Sequence, residues 1–149
     1  MSNARRAMPL VKLCEEEDEC LRLEAFLVER VYEFNAQSTG YFDGKLIAGR
    51  LCDDNGEIIA AFNGHTWGSC CVIAHLWVHD SRRGRGIGRT LLQTAEDEAS
   101  RRGCEQVVLS THSFQAPAFY ERLGYEKQAV IQGEPKGYAR IIYIKRLDG

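Results

Sequence analysis

The chain has 149 residues, of which 44% are hydrophobic and 27% charged, as expected for one globular domain with its own core. Its formal net charge of −2 excludes the generally basic surface that attracts nucleic acid or anionic lipid. No run approaches the roughly 20 apolar residues of a membrane span, and no secretory signal opens the chain. We therefore expect a cytoplasmic protein, with no nucleic-acid or membrane partner, whose six cysteines stay reduced.

The first 40 residues predict a strand and a helical region. Residues 1–8 are polar and are expected to be mobile, and residues 9–149 are expected to form a single domain. The apolar residues 10–13 predict a short strand. Residues 15–33 predict a helix because apolar side chains recur near a period of about 3.6. Residues 35–39 indicate a loop, which leaves open whether this region is one bent helix or two.

Three strands are predicted next. Residues 46–51 and 58–62 flank Asp53-Asp54-Asn55-Gly56, which is typical of a hairpin turn. Asn63-Gly64 and Gly68 predict a second turn before an apolar strand at residues 71–78.

A turn rich in arginine and glycine, residues 81–88, separates that strand from a helix that begins at about Ile87. The order of strand, glycine turn and helix N-terminus predicts an anion site, because glycines allow close backbone approach and free N–H groups point at the ligand. Arginines at positions 82, 83, 85 and 89 add positive charge. The sequence therefore predicts a ligand that carries phosphate.

The spacing of this turn excludes two common phosphate-binding motifs. A P-loop requires a lysine before Ser or Thr, and none is present. A dinucleotide fingerprint requires Gly-x-Gly-x-x-Gly, whereas the glycines here alternate at 84, 86 and 88.

The last third of the chain predicts three strands and one short helix. Residues 106–110 predict a strand, and Pro117 predicts the first turn of a helix that Gly124 ends. Strands are predicted at residues 126–131 and 139–145, separated by residues 133–137.

Two of these segments resemble the GNAT superfamily of N-acetyltransferases. Arg83-Gly84-Arg85-Gly86-Ile87-Gly88 matches the pyrophosphate loop Arg-x-x-Gly-x-Gly, and residues 113–125, SFQAPAFYERLGY, resemble Asn-x-x-Ala-x-x-Phe-Tyr-x-x-Leu-Gly-Phe/Tyr. Ser113 stands where that motif usually has asparagine. The resemblance covers residues 9–147 and implies a mixed α/β fold, with a mostly antiparallel central sheet and helices on both faces.

The resemblance implies transfer of an acetyl group from acetyl-CoA to a primary amine of a small molecule, by direct attack in a ternary complex. It places Tyr120 as the general acid that protonates the leaving thiolate. The N–H of Val78 would donate to the thioester oxygen. The implied cofactor-binding residues are Leu76, Trp77, Val78, Arg83, Gly84, Arg85, Gly86, Ile87, Gly88, Arg89, Ser113, Phe119 and Tyr120.

The general base does not transfer from the family, because many relatives have a glutamate where this chain has Ala74. His75 is the nearest titratable residue, and His79, His65, His112 or a water relay are the alternatives. The regions expected to line the acceptor pocket contribute Glu33, Asn35, Tyr41, His65, Trp67 and Tyr138.

Three other functions remain compatible with the sequence. A protein acetyltransferase would act on lysine or on an N-terminal amine. A non-catalytic acyl-CoA sensor would keep the glycine loop and have no need of Tyr120. A nucleotide-binding regulator would use the arginine turn for ATP or NADH. Family members are often dimers, so a homodimer is possible, and no cysteine or histidine spacing predicts a metal site.

Overall fold

The computed structural model describes residues 10–148, so the mobility expected for residues 1–8 lies outside the described residues. Contacts divide the chain between Gly40 and Tyr41 into two compact units, which are described in turn. Within residues 10–148, no helix is long and apolar enough to cross a membrane.

The first unit contains one continuous helix, α1 (Glu17–Thr39). The loop predicted at residues 35–39 is wrong, because the helix continues to Gly40, whose φ of 79° provides the left-handed end. The Thr39 hydroxyl donates to the Asn35 carbonyl oxygen at 2.8 Å, and so satisfies a carbonyl in the last turn. Three acidic side chains in the first turn suit the helix dipole.

The strand predicted at residues 10–13 is also wrong. These residues have no regular structure, and Leu10, Val11 and Leu13 are at least 85% exposed. A four-residue apolar run becomes a strand only by pairing with another strand, and the described part of the first unit contains no strand.

The second unit is a six-stranded sheet with two helices. Its strands are β1 (Lys45–Cys52), β2 (Ile58–Trp67), β3 (Cys70–Val78), β4 (Gln106–His112), β5 (Glu126–Gln132) and β6 (Ala139–Arg146). Their order is β1-β2-β3-β4-β6-β5, and every neighbouring pair is antiparallel except β3 and β4. The helices are α2 (Ile87–Arg101) and α3 (Pro117–Arg122). The predicted mixed α/β class with a mostly antiparallel sheet is confirmed.

The turn predicted at Asn63-Gly64 is wrong. Strand β2 runs through both residues and ends at a tight turn made by Gly68 and Ser69, with φ values of 54° and 65°. Gly64 serves a different purpose, because a Cβ there would overlap the carbonyl oxygen of Val72 on the next strand.

The core lies on the sheet face that packs against α2 and α3. Phe62, Ile73, Val107 and Tyr143 on the sheet belong to the same buried cluster as Leu92 on α2, and Tyr120 on α3 belongs to it too. The apolar stripe of α2 at Leu91, Leu92, Ala95 and Ala99 is buried. We call the opposite sheet face the far face.

Candidate active site

The central strands β3 and β4 pair over only part of their length. Residues 70–73 run parallel beside residues 106–109, whereas residues 74–78 and 110–112 have no partner on the other strand. The two strands therefore diverge into a cleft, which we call the strand cleft, bounded by residues 74–78 and 110–112.

A β-bulge lies where the strand cleft begins. On β2, Asn63 pairs with His75, but the next residue, Gly64, pairs with Ile73. Ala74 is therefore the extra residue of the bulge.

The bulge changes which β3 side chains face the core. Before it, Ile73 is buried in the core. After it, Leu76 and Val78 pack against the core, while His75 and the 45% exposed Trp77 face the far side. Without the bulge, strict alternation would place His75 and Trp77 in the core instead.

The hydrogen-bond phase of β3 leaves polar backbone groups directed into the strand cleft. The His79 N–H donates to the Ile59 carbonyl oxygen at 2.8 Å. In an antiparallel pair, hydrogen-bonded and non-hydrogen-bonded residue pairs alternate, so the next pair, Val78 with Ala60, is non-hydrogen-bonded. Leu76, two residues earlier, has the same phase. The N–H and C=O groups of Leu76 and Val78 therefore point away from β2, towards the side from which β4 has diverged.

A glycine loop connects β3 to α2 and has unpaired donors. Gly84 and Gly86 have φ values of 77° and 79°, which other residues adopt only with strain. The Gly86 carbonyl accepts the first helical hydrogen bond, from Thr90 N–H at 3.1 Å. Within residues 10–148, the backbone N–H groups of residues 84–89 donate to no acceptor. Six free donors at a helix N-terminus form an anion site.

The start of α2 packs closely against its neighbours. A Cβ added at Gly88 would lie 3.3 Å from Cζ of Phe119 and 3.8 Å from Cγ2 of Val78. Glycine at this position therefore keeps the helix N-terminus next to the end of β3.

The arginines of the loop have different surroundings. Arg83 Nε donates to the Val78 carbonyl oxygen at 3.2 Å, and its Nη2 lies 3.0 Å from Asp80 Oδ1. Arg85 and Arg89 are exposed and form no ion pair with any described residue. The side chain of Arg83 thus braces the loop, whereas Arg85 and Arg89 supply charge free to meet a phosphate.

Tyr120 lies on α3 among other aromatic rings. Its ring centroid is 5.1 Å from that of Phe119, 5.9 Å from Tyr125 and 6.2 Å from Tyr143. Burial raises the pKa of Tyr120 above its ordinary value of 10.0. The Tyr120 hydroxyl bonds to no described residue. Because every fully buried side-chain N or O atom among the described residues has a hydrogen-bond partner, this hydroxyl is not fully buried and is accessible to solvent.

His75, on β3, and His79, directly after β3, make different hydrogen bonds. His75 Nδ1 lies 2.9 Å from Asn63 Oδ1, which orients the ring on the far face. His79 Nδ1 accepts from the Ser81 backbone N–H at 3.1 Å and contacts Ser81 Oγ at 2.8 Å. Its Nδ1 lone pair is thus engaged in capping a short 3₁₀ turn. His75 is therefore the better placed of the two to accept a proton.

The remaining histidines lie on other strands. His112, at the end of β4, has Nδ1 at 3.2 Å from Gln115 Oε1, an oxygen that also accepts from the His112 backbone N–H. That acceptor requires a proton on Nδ1 of His112 and leaves Nε2 free. His65 is exposed on β2 and bonds to no described side chain.

Ser113 joins the β4–α3 connection to the start of β6. Its N–H donates to the Ala139 carbonyl oxygen at 2.8 Å, and its Oγ accepts from the Ala139 N–H at 3.1 Å. The hydroxyl that stands in place of the family's asparagine is thus already engaged with the protein.

The predicted acceptor residues of the first unit lie in the second half of α1. Glu33 Oε1 accepts from Arg30 Nη2 at 3.0 Å. Asn35 offers its backbone carbonyl to Thr39, about one turn before the helix ends.

The predicted acceptor residues of the second unit do not share one pocket. Trp67 Nε1 donates to the Tyr41 carbonyl oxygen at 2.8 Å, and Trp67 lines a cavity of about 260 Å³. Trp67 pairs with Cys70, eight residues from Val78, or roughly 26 Å along the strand. His65 is two residues nearer to the cleft. Tyr138 lies just before β6 and contacts Phe114, which follows the end of β4.

Two aromatic side chains at that end of β4 lie beside Tyr138 and were not among the predicted acceptor residues. The rings of His112 and Phe114 stack with centroids 5.2 Å apart, and Phe114 meets Tyr138 edge-on at 5.0 Å. An aromatic residue between polar neighbours, as Phe114 is in His112-Ser113-Phe114-Gln115, was the available signal.

Comparison with known proteins gives the same family from sequence and from structure. The model of the acetyltransferase (GNAT) family matches residues 10–125. Blasticidin-S acetyltransferase of Streptomyces morookaense is 35% identical over 97 residues, which cover 64% of this chain and 71% of that protein. The crystal structure of an acetyltransferase from Bacillus cereus superposes with a TM-score of 0.74 at 26% identity, over 93% of this chain and 98% of that one.

A third protein shows the fold with a ligand. The structure of an aminoglycoside 6'-N-acetyltransferase complexed with coenzyme A matches with a TM-score of 0.63 at 21% identity, over 70% of this chain and 74% of that one.

Proposed function

The chain belongs to the acetyltransferase (GNAT) family, and from this membership we propose that it transfers an acetyl group from acetyl-CoA to a primary amine of a small molecule. The observation that carries the proposal is the set of six unpaired N–H groups at residues 84–89, beside two unpaired arginines. Such a donor set fits a pyrophosphate, which is the group that coenzyme A would present there.

In this proposal, residues of the glycine loop and of β3 hold coenzyme A. The N–H groups of residues 84–89, with Arg85 and Arg89, bind the pyrophosphate. The backbone groups of Leu76 and Val78 that face the strand cleft suit the amide groups of the pantetheine arm, in the manner of an added β-strand. Acetyl-CoA, when bound, supplies the thioester-activated acetyl group.

Tyr120 acts as the general acid in this proposal. Its hydroxyl keeps its proton at neutral pH, since the ordinary pKa of a tyrosine is 10.0 and burial raises the pKa of Tyr120 further. That hydroxyl is accessible and bonds to no described residue. A protonated, uncommitted phenol is the group required to protonate a departing thiolate.

His75 acts as the general base. It lies one residue after the bulge, on the far face, with its ring fixed by Asn63 at 2.9 Å. Nε2 is then the ring nitrogen available to accept a proton from an ammonium group that approaches the strand cleft from the far face.

A small-molecule acceptor is supported by the relatives. A protein that is 35% identical acts, by its name, on blasticidin S. We therefore expect the acceptor to be a small amine, and blasticidin S is the first compound to test.

The test is a thermal-shift titration with acetyl-CoA, with ATP and NADH as controls, followed by an acetylation assay with blasticidin S and a panel of simple amines. A ligand at 100 times its dissociation constant stabilises the native state by about 2.7 kcal/mol, which raises the unfolding midpoint measurably. We expect a shift with acetyl-CoA alone and release of coenzyme A with at least one amine. A shift with ATP or NADH instead would overturn the proposal. Binding of acetyl-CoA without turnover of any amine would favour a sensor.

A further inference from the structure

Three aromatic rings form a cluster at the end of β4, which we call the aromatic cluster: His112, Phe114 and Tyr138. His112 and Phe114 are stacked, with an interplanar angle of 16° and centroids 5.2 Å apart. Tyr138 meets Phe114 at 78° and 5.0 Å. Both geometries are favourable ones for aromatic pairs.

Hydrogen bonds hold the backbone beneath the cluster. The reciprocal bonds between Ser113 and Ala139 connect the two segments that bear the rings. Gln115 Oε1 accepts from the backbone and from the ring of His112, at 2.8 and 3.2 Å. The Tyr138 N–H donates to the Pro135 carbonyl at 2.9 Å. The rings are therefore presented on a braced platform.

The cluster is ordered but not buried. Phe114 is 54% exposed and Tyr138 is 50% exposed. Burying these rings would stabilise the fold more than leaving them half exposed, since each buried aromatic side chain removes a large apolar area from water. Half-exposed aromatic rings on a braced loop next to a candidate active site are typical of a ligand-binding surface.

The position of the cluster matches the route that an acceptor would take. His112 follows the core-facing Thr111 on β4, so it lies on the far face. Phe114 stacks on His112, and Tyr138, just before β6, contacts Phe114. His75 lies on that same face at the opposite edge of the strand cleft. Tyr120 belongs to the core side. A molecule bound on the aromatic cluster would thus be on the same face as His75.

We propose that the aromatic cluster binds a planar ring of the acceptor, and that the substrate class is therefore an amine attached to an aromatic or heteroaromatic group. This inference rests on the proposed function. The exposed ring surface of Phe114 offers stacking, and Tyr138 offers an edge contact and a hydroxyl. The ion pair between Arg140 and Glu134, at 2.9 Å, gives the site a polar rim.

The experiment compares three amines: 2-phenylethylamine, 2-cyclohexylethylamine and n-butylamine. The first two differ in planarity at similar size, and the third lacks a ring. The value of kcat/KM is measured for wild type, Phe114→Leu and Tyr138→Leu. Phe42→Leu is the matched control, because Phe42 is 68% exposed and lies outside the cluster. Calorimetric binding of 2-phenylethylamine to the coenzyme A-loaded protein gives a readout that does not require turnover.

Wild type should favour 2-phenylethylamine, and Phe114→Leu should lower its kcat/KM and its affinity about tenfold, the value of one aromatic contact. The two other amines should change less than about twofold, and Phe42→Leu should match wild type. Equal losses for all three amines, no loss, or no calorimetric binding would overturn the aromatic preference. Failure to bind acetyl-CoA would instead overturn the proposed function.

Discussion

Arg83 donates a hydrogen bond from Nε to the carbonyl oxygen of Val78, at 3.2 Å. The bond joins the glycine loop to the end of β3, and the pairing phase of that strand turns the Val78 carbonyl away from β2. The carbonyl is thereby satisfied, while the Val78 N–H, which shares its direction, remains a donor. The Arg83 side chain thus fixes the loop, and the Val78 N–H remains as a donor at the edge of the strand.

The conformation of the braced loop depends on Gly86. Its φ of 79° costs a residue with a Cβ about 1–2 kcal/mol, although open space surrounds the position. Gly86→Ala should therefore weaken acetyl-CoA binding by about 5- to 30-fold, measured by calorimetry. Gly56→Ala is the matched control, because Gly56 has a φ of 81° and open surroundings in the β1–β2 turn. It should lower stability and leave the affinity unchanged. Equal affinity in the Gly86 variant would show that the loop does not bind the cofactor.

Tyr120→Phe should lower kcat by about 100-fold or more, because it removes the proton that the leaving thiolate requires. The affinity for acetyl-CoA should stay within about twofold. Because burial raises the pKa of Tyr120 above 10.0, ionisation of this phenol should not limit the wild-type rate below about pH 10. The pH dependence of kcat measures this directly.

Tyr143→Phe is the control for the loss of a buried hydroxyl. The Tyr143 hydroxyl donates to Glu121 Oε1 at 3.2 Å, so its removal should lower stability and leave kcat unchanged. If Tyr120→Phe retained wild-type kcat, Tyr120 would be a packing residue and another group would supply the proton.

His75→Gln should lower kcat/KM by about 100-fold at neutral pH, because the variant has no group that accepts the ammonium proton. His65→Gln is the comparison variant, since His65 is one of the alternative bases and is exposed on the neighbouring strand, outside the strand cleft. It should retain wild-type kcat/KM. The affinity for acetyl-CoA should be unchanged in both variants. Wild-type turnover in His75→Gln would transfer the role to His112 or to water.

The glycine loop and helix α2, which follows it, could be predicted because their causes are local. Gly84 and Gly86 are needed for positive φ, and the apolar stripe of α2 has a helical period. The prediction of a turn at Asn63-Gly64 failed because the reason for a glycine at position 64 is not local. Gly64 allows a close approach to Val72 on a partner strand, and a single sequence does not show which residue will lie opposite.

The bulge at Ala74 could be predicted only in part. The order of core-facing residues, Ile73 followed by Leu76 and Val78, breaks strict alternation, which is the signal of an extra residue. Acceptor contacts were harder to predict, because residues such as Trp67 and Tyr138 come to different ends of the sheet once the strand registers are fixed. Position along a sheet is a long-range property that residue type does not determine.

Arg102 connects the end of α2 to the first hairpin, and its loss should be costly. Its Nη1 donates to the Leu46 carbonyl at 3.0 Å and to Thr66 Oγ1 at 3.1 Å, and its Nε donates to Glu98 at 2.8 Å. Arg102→Ala should lower the free energy of unfolding by about 2 kcal/mol, measured by urea denaturation. Arg101→Ala is the control: Arg101 also binds Glu98, but its side chain is 68% exposed. That variant should unfold at the wild-type urea concentration. Similar effects of both variants would mean that the hairpin contacts add nothing.

Cys71 should make the protein sensitive to alkali. Burial, followed by the nearby Cys104 and Cys70, raises the pKa of the Cys71 thiol from 9.0 to about 12. Between these values the unfolded chain loses the proton and the folded chain keeps it, so the free energy of unfolding falls as pH rises above about 9. Thermal midpoints measured from pH 7 to pH 10 should therefore decline less steeply in Cys71→Ala than in wild type. Cys52→Ala, at an exposed cysteine, should keep the wild-type slope. Identical slopes in the two variants would mean that the buried tyrosines, whose pKa values burial also raises, cause the alkaline loss alone.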